Sequence, residues 1–125
     1  MSNAVSSAPF RLPRSPLPTD LVAKYFRGLG DPIRLQILAL LRDEDELTVG
    51  ELVARLRLPQ PKVSNHLACL RWCGFVEARR EGRVVHNRIA DSRVEAMLDL
   101  AAALLADNAE HVAACCRIEE TRRDG

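Results

Sequence analysis

Apolar residues recur along this chain at helical spacings in five stretches, with a hairpin-like stretch between the fourth and the fifth. Leu21, Val22, Tyr25, Phe26 and Leu29 predict a short first helix over 19–29, closed by Gly30 as a glycine C-cap. Asp31-Pro32 restarts the chain, because Asp accepts from the free amides of a helix start and Pro fits the first turn. Ile33, Leu35, Ile37, Leu38, Leu40 and Leu41 then carry a second helix to about Arg42, apolar nearly all round and therefore central. The acidic run Asp43–Glu46 reads as a solvated loop. Thr48 with Glu51 has the spacing of a capping box and opens a third helix, which carries Leu52, Val53 and Leu56 until Leu58-Pro59 breaks it. Val63, Leu67 and Leu70 mark a fourth helix closed by Gly74. Two short helices joined by a tight turn form a helix-turn-helix.

After Gly74, residues 75–80 and 83–89 flank Glu81-Gly82 and predict a β-hairpin turning at that dipeptide. Asp91 caps a last helix from Ser92 onward. Its positions Val94, Leu98, Ala101, Leu105, Asn108, Val112 and Cys115 alternate steps of four and three, the seam of a helix that packs on another helix. The predicted fold is mainly α with a small β-hairpin, a winged helix-turn-helix. Its domain spans 19–117 and includes this C-terminal helix. Residues 1–18, which hold four of the seven prolines, form a flexible arm, and 118–125 form a tail.

Composition narrows this picture. A chain of 125 residues is one domain, and with aromatics at 4% its core must be Leu, Val, Ile and Ala, which excludes an aromatic-rich sandwich. No apolar run is long enough to span a bilayer and no export signal opens the chain, so a cytoplasmic protein without membrane contact is expected. The net charge of +1 hides a partition. Residues 52–90 hold eight basic and two acidic side chains (+6), against −1 for residues 1–51 and −4 for 91–125. The helix-turn-helix and hairpin therefore coincide with the cationic segment, which points to nucleic acid, double-stranded DNA if the fourth helix enters a major groove, as the partner.

Gln60, Lys62, Ser64 and Asn65, near the start of the fourth helix, offer a cation and short polar groups to phosphates and base edges if that helix enters the major groove. Arg79, Arg80, Arg83 and Arg88 of the hairpin would grip flanking phosphates; the bland alternative for any one of them is an ordinary solvated surface. His66 reads as a packing or hydrogen-bonding residue.

The stretch from Leu29 to Asp91 resembles the ArsR/SmtB family of metal-responsive repressors. The likeness is carried by Gly30-Asp31-Pro32-Ile33-Arg34-Leu35, Val63-Ser64-Asn65-His66-Leu67, Leu70-Arg71 and Gly74-Phe75-Val76. It implies a homodimeric winged-helix repressor, joined through its first and last helices, that leaves its operator on binding metal.

The cysteines supply the candidate chemistry. Cys69 and Cys73 are one turn apart on the fourth helix, at about 240° and 280° from Val63, with His66 near 300°. Two thiolates do not complete a usual heavy-metal site, and Cys115 or Cys116 would supply a further donor. Cys115 also continues the apolar seam and could be a buried interface residue; Cys116 points about 100° away. Cys-x-x-x-Cys on the recognition helix resembles a cadmium- and lead-sensing branch of the family, in which a C-terminal cysteine of the other subunit joins the pair. The tail here departs from it, with adjacent cysteines, His111 nearby and a longer helix before them. The family's Cys-Val-Cys site is absent. Its last-helix zinc site is poorly matched by Asp99, Asp107, Glu110 and His111.

The sequence thus predicts a repressor released by Cd(II), Pb(II), Hg(II) or As(III) as a thiolate-bound effector, with no organic cofactor. The alternative is a repressor switched by thiol oxidation. No Cys-x-x-Cys in a βαβ setting, paired carboxylates or phosphate loop is present, so an enzyme is not expected.

Overall fold

The computed structural model describes residues 18–115. The expected arm up to residue 17, Cys116 and the tail 118–125 lie outside the described residues. In chain order the elements are α1 (Pro18–Leu29), α2 (Pro32–Glu44), α3 (Val49–Leu56), α4 (Gln60–Trp72), β1 (Val76–Glu81), β2 (Val84–Ile89) and α5 (Ser92–Ala113). The chain divides between Ala90 and Asp91 into two units. No described helix is long and apolar enough to cross a membrane.

The helix starts are set by local chemistry. Asp31 Oδ1 accepts from the amides of Ile33 (2.8 Å) and Arg34 (3.1 Å), and Thr48 and Glu51 form a reciprocal capping box. Asp91 caps α5 through the Arg93 amide at 2.8 Å. In the first unit Ile37, Leu38 and Leu41 of α2, Leu52 of α3 and Val63, Leu67 and Leu70 of α4 are buried with Leu29, Leu47, Phe75 and Val76 in an apolar core. Each such side chain contributes roughly 1.5–3 kcal/mol on leaving water. Tyr25 of α1 lays its ring on Phe75, centroids 4.5 Å apart.

Three details depart from the sequence expectation. The helical region of α2 reaches Glu44, two residues into the acidic run, because Glu44 is held by Arg55 of α3 in a two-bonded ion pair (2.7 and 3.3 Å). The chain then reverses at Asp45 (φ 69°, ψ −59°), with the Glu46 amide donating to the Glu44 carbonyl at 2.8 Å: a γ-turn.

The hairpin turns at Gly82-Arg83 instead of Glu81-Gly82, since Glu81 pairs with Val84. Gly82 supplies the positive φ (64°) and Arg83 does not need one, the backbone pattern of a type II′ turn. This register puts Glu77, Arg79, Glu81, His86 and Arg88 on one face of the hairpin and Arg80 on the other. Leu47 adds a bridge to Asn87 on the far side of β2.

The third departure is in α5, which is not one continuous seam. Asn108 is non-helical (φ −127°, ψ 15°), and its side-chain amide donates to the Leu104 carbonyl at 2.9 Å, the acceptor its own backbone amide would use in an unbroken helix.

Candidate nucleic-acid interface and thiol pair

The buried stripe Val63, Leu67 and Leu70 fixes α4 against the core and leaves its other side outward. Gln60, Lys62 and Asn65 are exposed there and Ser64 is half-buried, so the polar residues expected to read DNA stand together on the first turns of the helix. Pro59 occupies the N-cap position and provides no side-chain hydrogen bond; Pro61 has no amide proton, and the Lys62 and Val63 amides donate to the Pro59 carbonyl (3.1 and 3.2 Å), so the side chains of the first turns, not a free helix end, make up the polar face of α4.

The four hairpin arginines are all exposed but do different things. Arg79 grips Glu46 with two hydrogen bonds (2.7 and 3.1 Å), and this pairing draws the Glu46 carboxyl below its ordinary range. Arg88 bonds Glu77 at 2.6 Å and approaches Glu46 at 3.9 Å. His86 lies 3.5 Å from Glu81 and 4.0 Å from Glu46 on the same face. Among the described residues neither Arg80 nor Arg83 has an ion-pair partner, nor does Lys62. Glu46 is the residue that sequence reasoning missed here. It lies in a loop more than thirty residues from Arg79 and reaches it only through the γ-turn.

Cys69 and Cys73 are both half-buried and lie one helical turn apart, near enough for Cys69 to act on the Cys73 thiol. Burial pushes the Cys73 thiol up from its ordinary value and so does Cys69 beside it, while the charges of Arg34 and Lys24 pull the other way. The floor of the pair is α1, where a side chain on Gly28 would stand 3.1 Å from the Cys73 sulfur. Arg34 ties this corner together: Nε donates to the Gly28 carbonyl at 2.6 Å, Nη2 to the Arg27 carbonyl at 3.2 Å, and Nη1 lies 3.3 Å from His66 Nδ1. His66 is therefore a hydrogen-bonding residue between α4 and α2, also 3.9 Å from Asp31. At Asp31 burial opposes ionisation, but the amides of Arg34 and Ile33 and the charges of His66 and Arg34 outweigh it and lower the carboxyl. Trp72, beside Cys73 in sequence, is 90% exposed.

Two converging soft donors suit a thiophilic ion. Among the described residues no group of three or more Cys, His, Asp or Glu could hold a metal. Cys115 is half-buried just beyond the end of α5, in the second unit, and Cys116 is outside the described residues.

A helix-turn-helix whose second helix presents polar residues at its start, followed by a cationic two-stranded hairpin, is a winged-helix DNA-binding protein. The family model for bacterial regulatory proteins of the arsR family matches residues 31–78. The chain is 42% identical over 99 residues to a probable mercury resistance operon repressor of Streptomyces lividans, covering 79% of this chain and 78% of that protein. It is 47% identical over 73 residues to the HTH-type transcriptional regulator CmtR of Mycobacterium tuberculosis, covering 58% of this chain and 61% of that one. Among solved structures it matches the homodimeric winged helix-turn-helix DNA-binding domain Mb0332 of Mycobacterium bovis at a TM-score of 0.67 and 33% identity, over 74% of this chain and 85% of that fragment. This chain belongs to the ArsR/SmtB family of transcriptional regulators, a family of DNA-binding proteins and not of enzymes.

Proposed function

We propose that the protein is a homodimeric operator-binding repressor that releases DNA when a thiophilic heavy metal, Cd(II), Pb(II), Hg(II) or As(III), is held by Cys69 and Cys73. The observation that carries this reading is the thiol pair at the C-terminal end of α4, Cys69 in its last turn and Cys73 as its C-cap, half-buried over Gly28. A cysteine of the C-terminal segment, Cys115 or Cys116, would complete the donor set. The ion would draw the two thiolates and that donor together and neutralise their charge. The name of the Streptomyces relative, a mercury resistance operon repressor, supports Hg(II) among the candidate ions.

In this reading α4 meets base edges and phosphates with Gln60, Lys62, Ser64 and Asn65, and Arg80 and Arg83 take flanking phosphates. Arg79 and Arg88 brace the hairpin against Glu46 and Glu77 and add to the local field. Because the thiols sit on the reading helix, a shift of its last turns needs only the 1–3 kcal/mol typical of allosteric coupling, about 5- to 150-fold in affinity.

The test is fluorescence anisotropy on a duplex from upstream of the protein's own gene, titrated with Cd(II), Pb(II), Hg(II), As(III) and Zn(II) in turn. At least one thiophilic ion weakens binding about tenfold or more, and the response disappears in the Cys69→Ser/Cys73→Ser protein. Unchanged affinity with every ion would sink metal sensing. The adjacency of the two half-buried thiols, one helical turn apart, favours one second reading, a repressor switched by oxidation. Peroxide without metal would then weaken binding reversibly, and a full response in Cys116→Ser would count against a role for the tail thiols.

A further inference from the structure

Asn87 is the buried polar side chain of the described core, with none of its surface exposed. It sits mid-strand in β2, where an apolar residue would cost less. Its backbone and both ends of its side-chain amide are hydrogen-bonded, and these bonds join β2 to α4 and to the loop residue Leu47. Its backbone exchanges two bonds with Leu47 (2.9 and 3.0 Å), and its side-chain Nδ2 donates to the Leu47 carbonyl at 3.1 Å. Its Oδ1 accepts from Arg71 Nη1, on the last turn of α4, at 3.2 Å. Replacing such a pair by apolar groups of the same shape can leave stability nearly unchanged, so what the amide adds over a valine is direction. The bond ties the last turn of α4 to the middle of β2 and favours one inclination of the hairpin to the helix.

That inclination matters because the wing's free cations are at its far end. Arg83 is in the turn and Arg80 in the pair next to it, on the face opposite the Glu46 cluster. Asn87 pairs with Ala78, between the base of the hairpin and its turn, so a tilt at that point moves both arginines relative to the start of α4.

We propose that Arg71 and Asn87 are positioning residues for DNA binding, fixing the hairpin at the angle where Arg80 and Arg83 reach phosphate while the first turns of α4 occupy the major groove. The proposal rests on DNA binding by the winged helix and on the assignment of Arg80 and Arg83, and is independent of metal release.

Its test is a salt titration on a random-sequence duplex of about 30 base pairs, where the slope of log K against log[salt] counts phosphate contacts at about 0.9 each. In the wild-type background, Arg80→Ala/Arg83→Ala lowers the slope by about 1.8 per protomer. In the Arg71→Leu background the same pair of substitutions lowers it no further, since the wing no longer delivers those arginines. A merely structural role for Arg71 would weaken binding yet leave the fall unchanged. An equal fall in both backgrounds overturns the proposal, as does no fall in the wild type. Should Arg71→Leu not fold, Arg71→Gln, too short to reach Asn87, takes its place in the same comparison. Loss of the metal response alone, with this pattern intact, would count against metal sensing and leave the positioning role standing.

Discussion

Gly28 is the residue on which the thiol pair depends for room. A Cβ there would meet the Cys73 sulfur at 3.1 Å and the Phe75 ring at 3.4 Å, so Gly28→Ala forces the cysteine side chain aside. Overpacking of this kind costs 1–3 kcal/mol, and the variant is expected to bind Hg(II) or Cd(II) about tenfold more weakly or worse, read by competition with a chromophoric chelator, while apo DNA affinity is retained. Asp45 is the opposite case, a residue held where its side chain is unwelcome. Its φ of 69° with ψ −59° is a strained pairing for a residue with a Cβ, and Asp45→Gly is expected to raise stability by about 1 kcal/mol, measured by urea denaturation. Neither residue is legible in the sequence as a critical one. Gly28 looks like a helix residue of low propensity, and its neighbour Cys73 is brought to it only by the packing of α1 on α4. Asn87 is hidden for the same reason: a strand asparagine reads as a surface residue until Leu47 pairs with it from the far side of β2.

Elements are legible in the sequence where their chemistry is local. Asp31, Thr48 with Glu51, and Asp91 all cap the helices they precede, because a cap needs only residues two or three positions away. The hairpin turn is less local. Either of two dipeptides puts Gly82 in the turn, and the choice is made by pairing along the whole strand. The kink in α5 falls at Asn108, a polar position in the seam: the four-three spacing continues through it, while its side-chain amide takes a backbone acceptor that spacing does not register.

The α5 cap also has a pH signature. The Arg93 side chain, then its backbone amide, hold the Asp91 carboxyl at about 2, below its ordinary 3.8. A carboxylate lowered on folding stabilises the folded form above its ordinary value, and that contribution is lost as pH falls from 3.8 toward about 2. Far-UV circular dichroism across that window should show helix lost in the wild type and a flatter response in Asp91→Asn, which keeps a cap but no titrating group.

At the scale of the molecule, the near-neutral charge is a balance among regions of opposite sign, and the cationic region is itself partly neutralised by Glu46, Glu77 and Glu81. Lys62, Arg80 and Arg83 remain as the uncommitted positive groups among the expected DNA-binding residues, fewer than the sequence count implies. Large apolar side chains are exposed on α5, where Leu104 is 57% exposed and Leu100, Leu105 and Val112 are similarly open, and on α1, where Phe26 is 55% exposed. Such surface calls for a covering partner. If a second copy covers α5 as the family resemblance implies, Leu104→Glu yields monomers in sedimentation velocity and weakens DNA binding; a dimer of unchanged strength would count against that face.

Trp72 has an optical consequence. It is the chain's single tryptophan, almost fully in water and adjacent to Cys73. Its emission therefore reports on one place only. A heavy ion captured by the neighbouring sulfur should quench it, and Cys73→Ser should abolish the quenching. The protein thus carries a native indicator with which occupancy of the thiol pair can be followed in real time, without a dye and without DNA.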